Sequence, residues 1–375
     1  MLSFWEKNSF LNHDVIIVGA GINGLSAACA IKEKYPQKKV LILERGSWPL
    51  GASTRNAGFA CFGSFAEIRE DIIANGIDKA LTLIEMRVRG LELHKKRLGA
   101  QKMGYSASGG GEFLFDDEPF EEDELATMNK NLKPILHTDA FQTDLSKVQD
   151  YGFNPKGINQ YISNCCEGQV DSGLLMYNLW QYTTSLGVMI MNGMDVLDFE
   201  DTGTRCNLRA KHNRLTESPT FTCQTLVFTT NAFSKQFFPD MDVVPGRGQM
   251  LATKPIENLK FKGIFHFKQG YYYFRNYGNR ILFGGGRNEN IEGEQTSEIA
   301  LNDSIQNSLD HYLQNLIIPE TEYEIDCRWA GIMAFGKDKL PIIERVSPNV
   351  IAGVRMGGMG VALSGITAEN IAEMI

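Results

Sequence analysis

Cysteine is scarce and unorganised in this 375-residue chain: Cys29, Cys61, Cys165, Cys166, Cys206, Cys223 and Cys327 make an odd number and include no CxxC pair. A disulfide scaffold and a zinc ribbon are therefore not expected. The six histidines are equally dispersed, with no HxxxH or His–carboxylate spacing that would hold a metal. No apolar run approaches the ~18 residues of a membrane-crossing helix. Residues 1–14 lack the basic start and small-residue cleavage site of a secretory signal, so the expectation is a cytoplasmic protein with no integral membrane segment. Positive charge is in deficit, since 37 Lys+Arg against 45 Asp+Glu leave −8, which argues against a nucleic-acid partner. Internal repeats and low-complexity tails are missing as well.

What the chain does have is apolar residues, 43% of the total, and 37 glycines. The first allows a large core, and at this length two domains or one elaborated fold. The second is clustered. Residues 13–18 are a short Val/Ile-rich run ending in glycines, the pattern of a buried parallel strand. A helix over 24–34 and a second strand over 40–43 complete a βαβ unit of roughly the ~30 residues such a unit needs. Apolar residues at helical spacing predict one long or broken helix over 66–98, with Gly76 and Gly90 as candidate breaks. A strand over 107–115, an acidic helix over 121–131, a capped helix from Asp171 or Ser172 to Gly187 and a strand over 188–199 follow. Segments 206–210, 221–229, 248–253, 262–267, 271–276 and 280–284 alternate like antiparallel sheet, a helix falls near 298–316, and strands at 324–329 and 350–354 precede a last helix over 361–374. The fold class expected is α/β + α+β: a discontinuous Rossmann-like nucleotide-binding domain (1–98, 155–235, 326–375) with an inserted, mainly antiparallel β-sheet substrate domain (99–154, 236–325).

The sequence DVIIVGAGINGLSAA places Gly19, Gly21 and Gly24 in a GxGxxG pattern between predicted strand and predicted helix. Gly19 permits the tight turn, Gly21 lets a pyrophosphate approach, and Gly24 lets helix and strand pack closely, with the helix N-terminus (Ile22, Asn23) facing the phosphates. Glu44, twenty residues after Gly24, ends the second strand and can accept hydrogen bonds from ribose hydroxyls, which disfavours NADP. This pattern alone leaves NAD and FAD open. A second small-residue loop, GASTRNAGFACFGS over 51–64, follows.

At these two motifs the chain resembles the FAD-dependent oxidoreductases of the D-amino-acid oxidase, glycine oxidase and sarcosine oxidase family. The resemblance continues in GQVDSGLL, GMDVLDFE, TLVFTTNAF, PGRGQML, YYYFRNYGNRILFGGGR, DCRWAGIMAFGKDKLPII and GVRMGGMGVALSG, with the Tyr-(Phe/Tyr)-Arg and Phe-Gly-Gly-Gly signatures of its gamma-glutamylputrescine oxidase-like branch. It covers nearly the whole chain and implies FAD. As FAD contacts it implies Gly19, Gly21, Ile22, Asn23, Gly24, Glu44, Arg45, Ser53, Thr54, Arg55, Asn56 and Gly58, then Val196, Thr230, Gly331, Gly357, Gly358, Met359, Gly360 and Val361. Gly357, Gly358 and Gly360 also open the final helix, whose amides and dipole stabilise the negative charge of a reduced flavin.

The chain departs from the family at four points. Amino-acid-specific members carry a carboxylate-clamping arginine where Met333 follows Trp329-Ala330-Gly331-Ile332, and methionine cannot supply guanidinium geometry. The C-terminal lysine of the sarcosine oxidase branch is replaced by Ala362. The only thiol near the position of that branch's flavin-linking cysteine is Cys327, so FAD is expected to be non-covalent. The lysine that assists oxygen reduction in relatives falls near Leu282, leaving oxidase and dehydrogenase open.

Arg55, Trp329 and Met333 are candidates beside the flavin, and Tyr272, Tyr273 and Arg275 on the substrate side, Arg275 taking a distant carboxylate; Arg287, Arg247 and Lys337 are alternative cations. The function expected is oxidation of the C–N bond of a primary or secondary amine, or an amino acid, by hydride transfer to flavin, with oxygen or another electron acceptor closing the cycle. The alternatives are a D-amino-acid or glycine-type dehydrogenase, a non-catalytic FAD-binding protein and, less favoured, an NAD-dependent dehydrogenase.

Overall fold

Two eight-stranded sheets organise the described residues. The computed structural model describes residues 3–118, 120–215 and 217–375. In the first sheet Asn12–Val18 lies parallel to Val40–Glu44 on one side and to Thr220–Phe228 on the other. Met189–Asn192 and Val350–Val354 extend the parallel run outward. Val15 and Ile17 face one way, onto the helices Ile22–Lys34 and Gly360–Glu373; Ile16 and Leu41 face the other, onto Leu208 and Phe221. Burial of both faces explains why the strand reads as a continuous apolar run instead of an alternating one.

The second sheet runs in the order Ile325–Phe335, Val244–Thr253, Arg280–Gly285, Tyr272–Tyr277, Ile264–Phe267, Gly110–Phe115, Ile158–Asn164, Phe141–Thr143. All its pairs are antiparallel except Ile264–Phe267 with Gly110–Phe115. Phe113, Phe265, Phe267, Tyr272, Phe274 and Phe283 fill one face, which is covered by the helix Asp303–Tyr312. The opposite face, carrying His266 and Tyr273, turns toward the first sheet's glycine loops.

The structure corrects several sequence expectations. Thr220–Phe228, read as antiparallel sheet, is a parallel neighbour of the first strand and antiparallel only to Cys206–Lys211. Ile158–Asn164, and Ile325–Phe335 from Asp326 onward, fall in segments assigned to the nucleotide-binding part, yet they hydrogen-bond into the second sheet. The long helical segment breaks at Gly76 (φ +82°) and runs on unbroken through Gly90. Gly90 serves a crossing: a Cβ there would stand 1.9 Å from the Ala362 carbonyl oxygen, and one on Gly365 would stand 2.2 Å from the Gly90 oxygen. Two helices thus touch backbone to backbone, and this contact seats the last helix. The strand over 188–199 is two strands split at Gly193. Phe4–Phe10 and Ile342–Ser347 were not anticipated.

Candidate functional site

A cavity of about 750 Å³ opens along the C-terminal ends of the parallel strands and under the second sheet, the place where open α/β sheets hold ligands. Its first wall is the glycine turn. Gly19 takes φ +102°, and a Cβ on Gly24 would stand 1.9 Å from the Gly19 oxygen and 2.7 Å from Thr229 Oγ1. Gly24 therefore acts from behind the cavity wall, locking helix to turn, while Gly19, Gly21, Ile22 and Asn23 face the cavity. Thr229, which sequence reasoning missed, closes the turn by donating to Val18 O at 2.9 Å and Gly19 O at 3.1 Å.

Glu44 is buried, and its two carboxylate oxygens accept from Ala20 N at 2.9 Å and Gly46 N at 2.8 Å. It lines the cavity beside Arg45, Val196 and Thr230. The Arg45 guanidinium lies 3.9 Å from the Phe233 ring centroid, so Phe233 joins this end of the site.

Anchoring fixes the loop 51–58. Ser53 Oγ accepts from Ile22 N at 2.9 Å, tying it to the first turn. Asn56 Oδ1 accepts from Gly58 N at 2.8 Å and from Ser172 Oγ at 2.6 Å. Arg55 donates to Leu50 O and Ala330 O, and Trp329 Nε1 donates to Arg55 O at 2.9 Å. Arg275 donates to Gly58 O and Val170 O, both at 2.8 Å.

These bonds correct four expectations. Arg275 is 3% exposed, off the cavity wall and committed to two carbonyls, so it holds the loop and is not free for a carboxylate. Trp329 props the same loop from outside the cavity. Thr54 points away and donates to Pro49 O. Tyr272 stacks on Phe267 in the aromatic core, with its hydroxyl on Glu289, because alternate residues of a strand face opposite sides.

The flavin-side expectations Arg55, Asn56, Gly58, Gly331 and Met333 do meet on the cavity, with Gly357, Gly358, Met359, Gly360 and Val361 opposite them. Gly357 and Gly358 have φ of +55° and +79°, and the last helix starts at Gly360. The thiol on the wall is Cys61, not the exposed Cys327. Its Sγ sits 3.9 Å from Met359 Sδ, and burial pushes its pKa well up, so it stays a thiol.

The residues present fit a dinucleotide. Two helices, Ile22–Lys34 and Gly360–Glu373, open N-terminally on one cavity with no hydrogen bond from a cap residue's own side chain; Ser53 Oγ accepts from Ile22 N, and the following amides and the positive dipole ends are left for an anionic ligand. Asn23, which donates to Gly353 O, keeps a buried Oδ1 without a partner on the same wall.

At the far end stand Phe59, Glu67, His266, Tyr271, Tyr273, Arg287 and Phe335. Of these, the sequence pointed to Tyr273 on the substrate side and to Arg287 as an alternative cation. Gly246 and Gly248 lie two residues apart on one face of their strand, and the space their side chains would take is filled. A Cβ on Gly246 would stand 3.6 Å from the Arg287 guanidinium, and one on Gly248 3.6 Å from the Tyr273 hydroxyl. Arg287 stacks on Phe335 at 4.1 Å. Among the described residues neither its guanidinium nor the Tyr273 hydroxyl has a hydrogen-bond partner. The neighbouring cations are engaged: Arg247 pairs with Glu294, and Lys339 with Glu67 and Asp71. Lys337 lines the cavity but is exposed.

Two buried carboxyls brace this end from behind. Glu167 accepts from Phe62 N at 2.9 Å and Gly63 N at 3.1 Å, and Glu112 accepts from Ser64 Oγ and Ala66 N. Burial outweighs these donors and pushes Glu167 up to about 8 and Glu112 up to about 7. A raised native pKa means the folded state keeps protons that the unfolded state has lost, so stability falls as pH rises from the ordinary carboxyl range through about 8. Glu167→Gln keeps the acceptor oxygen and removes the titration. Melting curves at pH 5 and pH 9 are expected to show a smaller loss for the variant than for the parent; parallel losses would contradict the assignment.

Among the described residues no group of three His, Cys, Asp or Glu side chains is placed to hold a metal, and no helix is long and apolar enough to cross a membrane. Comparison with known proteins agrees with the geometry. The family model described as FAD dependent oxidoreductase matches residues 14–374. A probable oxidoreductase OrdL of Haemophilus influenzae is 25% identical, over 96% of this chain and 82% of its own length. A gamma-glutamylputrescine oxidoreductase of Escherichia coli is 23% identical, over 99% and 85%. Among solved structures, glycine oxidase from Geobacillus kaustophilus superposes with a TM-score of 0.77 at 20% identity, covering 97% of this chain and 94% of that one.

Proposed function

The chain belongs to the FAD-dependent oxidoreductase family and is an enzyme that uses FAD, and from that premise we propose that it oxidises the C–N bond of a primary or secondary amine whose carboxylate is held by Arg287 and Tyr273. The observation that carries this reading is the unpaired Arg287 guanidinium beside the unbonded Tyr273 hydroxyl in the cavity. A stacked, pre-oriented guanidinium is a bidentate carboxylate receptor. It stands in for the arginine that Met333 replaces, from a different strand end.

Gly19, Gly21, Ser53, Arg55, Asn56 and the Gly357–Gly360 turn would hold FAD, which supplies the two-electron acceptor for the hydride leaving the substrate carbon. Phe59, Tyr271 and Tyr273 exclude water around the amine and so favour its neutral form, whose lone pair assists hydride loss. The imine product is hydrolysed by water. Cys61, held as a thiol, offers no nucleophile for a covalent link, which supports non-covalent FAD. Oxygen or another acceptor completes the cycle. The names of the relatives, an oxidoreductase of gamma-glutamylputrescine and an oxidase of glycine, support an amine or amino-acid substrate.

The test is the visible spectrum of the purified protein before and after acid precipitation, and then during anaerobic mixing with matched amines with and without a carboxylate. Flavin released into the supernatant, and bleached by carboxylated amines, is expected. Colour retained in the pellet would contradict non-covalent FAD, and absence of bleaching by any amine would contradict the reaction.

A further inference from the structure

One buried side chain on the cavity wall has no structural employment. His266 is 6% exposed, and among the described residues neither of its ring nitrogens has a hydrogen-bond partner. It lines the cavity together with Phe59, Glu67 and Gly270, with Phe59 edge-on to it at 5.1 Å. A buried imidazole left unpaired costs the ligand-free fold on the order of 1–3 kcal/mol, which calls for a ligand that pairs it.

Glu67 shows what that ligand is. Its Oε1 takes Arg87 and Lys339, while Oε2 is turned to the same space as the imidazole. A Cβ on Gly270 would stand 3.7 Å from Glu67 Oε2 and 4.0 Å from His266 Nδ1. Lys339 pairs with both Glu67 and Asp71, and Arg87 pairs with Glu67 through Oε1, while Glu70 stands on the same cavity wall. Burial pushes the Glu67 carboxyl up, but Lys339 and Arg87 together hold it at about 2, and burial holds His266 down at about 4. At neutral pH the pair therefore offers a carboxylate oxygen and an imidazole acceptor side by side on the cavity wall.

We infer that Glu67 and His266 form a subsite for an alkylammonium group, so that the substrate carries, besides its reacting amine, a second amino group that stays protonated. This deepens the amine-oxidation reading and rests on it. Glu67 and His266 are here binding residues that select the substrate.

The experiment is anaerobic calorimetric titration of the FAD-loaded enzyme with n-butylammonium and with n-butanol, on the parent, Glu67→Gln and His266→Phe. The parent is expected to bind the ammonium at least about tenfold more tightly than the alcohol, and each variant to lose that preference. Because the imidazole is unpaired without ligand, His266→Phe is also expected to keep or raise the melting temperature of the ligand-free protein. Equal affinity for ammonium and alcohol in the parent overturns the subsite, as does a folded variant that keeps the parent's preference, or a lower melting temperature in His266→Phe. Should Glu67→Gln fail to fold, because Arg87 loses its partner, His266→Phe decides alone. If the ammonium preference stands while no amine bleaches the flavin, the reaction fails and the subsite survives. Bleaching by diamines at parental rates in both variants gives the reverse.

Discussion

Arg287→Gln is expected to lower kcat/KM for carboxylate-bearing amines about 100-fold and to leave carboxylate-free amines within about threefold, which corresponds to the ~3 kcal/mol lost when one partner of a buried, hydrogen-bonded charge pair is removed. The size of the effect follows from where the guanidinium stands. It is stacked on Phe335, half-buried after the turn at Gly286, and has no carboxylate of its own, so little of its attraction for a ligand is offset by an internal partner. In a low-dielectric cavity such an unpaired cation is worth far more than at the surface.

Tyr273→Phe removes one hydrogen bond to the same carboxylate and is expected to cost about 20-fold, within the ~1.5–3 kcal/mol of a bond to a charged group. Steady-state kinetics on matched pairs of amines measures both effects. A loss shared equally by both classes would move Arg287 from substrate recognition to support of the site. An unchanged kcat/KM would mean that the carboxylate is held elsewhere.

The other large effect is on the cofactor. Gly24→Val puts a Cβ where Gly19 O would be 1.9 Å and Thr229 Oγ1 2.7 Å away. The nearer of these is backbone, so the helix must move off the turn that we propose holds the pyrophosphate. The variant is expected to purify without colour, to take up FAD at least about 1000-fold more weakly, a ~4 kcal/mol change, and to melt lower even without cofactor.

Gly21→Ala separates the two parts of that effect. Its Cβ would meet only Ser53 Oγ, at 3.1 Å, in a backbone of ordinary φ near −64°. The ligand-free protein is therefore expected to melt like the parent, while FAD binding weakens because the methyl occupies the approach of the phosphates. Fluorescence titration with FAD and calorimetry of the ligand-free proteins check both. Parental FAD affinity in Gly21→Ala would remove that residue from the phosphate site.

Much of this site was legible because backbone chemistry writes itself into sequence. A GxGxxG between an apolar strand and a helix points to a tight, open turn, and the structure places Gly19 and Gly21 on the cavity with Gly24 behind it; Gly357, Gly358 and Gly360, read separately as the opening of the last helix, stand opposite them. The substrate end was less legible. Tyr272 and Tyr273 look alike in sequence, and only the pairing of Tyr273 with His266 and Gly284 across the sheet tells which one faces the cavity. Arg275 and Arg287 are both arginines near an aromatic strand, yet one is bound to two carbonyls and the other is free. His266 and Glu67 carried no local signal, since they come from a short strand and a helix about two hundred residues apart.

Composition, periodicity and glycine spacing by themselves determined the βαβ start, the presence of a second, largely antiparallel sheet, and a dinucleotide-type glycine turn on the first, because those features depend on local backbone geometry and on which faces must be buried; the choice of FAD came from the resemblance. The tertiary structure alone decided which sheet Ile158–Asn164 and Ile325–Phe335 join, which cation is left unpaired, and which buried groups face the cavity. Those outcomes depend on pairing between distant segments, where a one-residue change of register reverses every side chain.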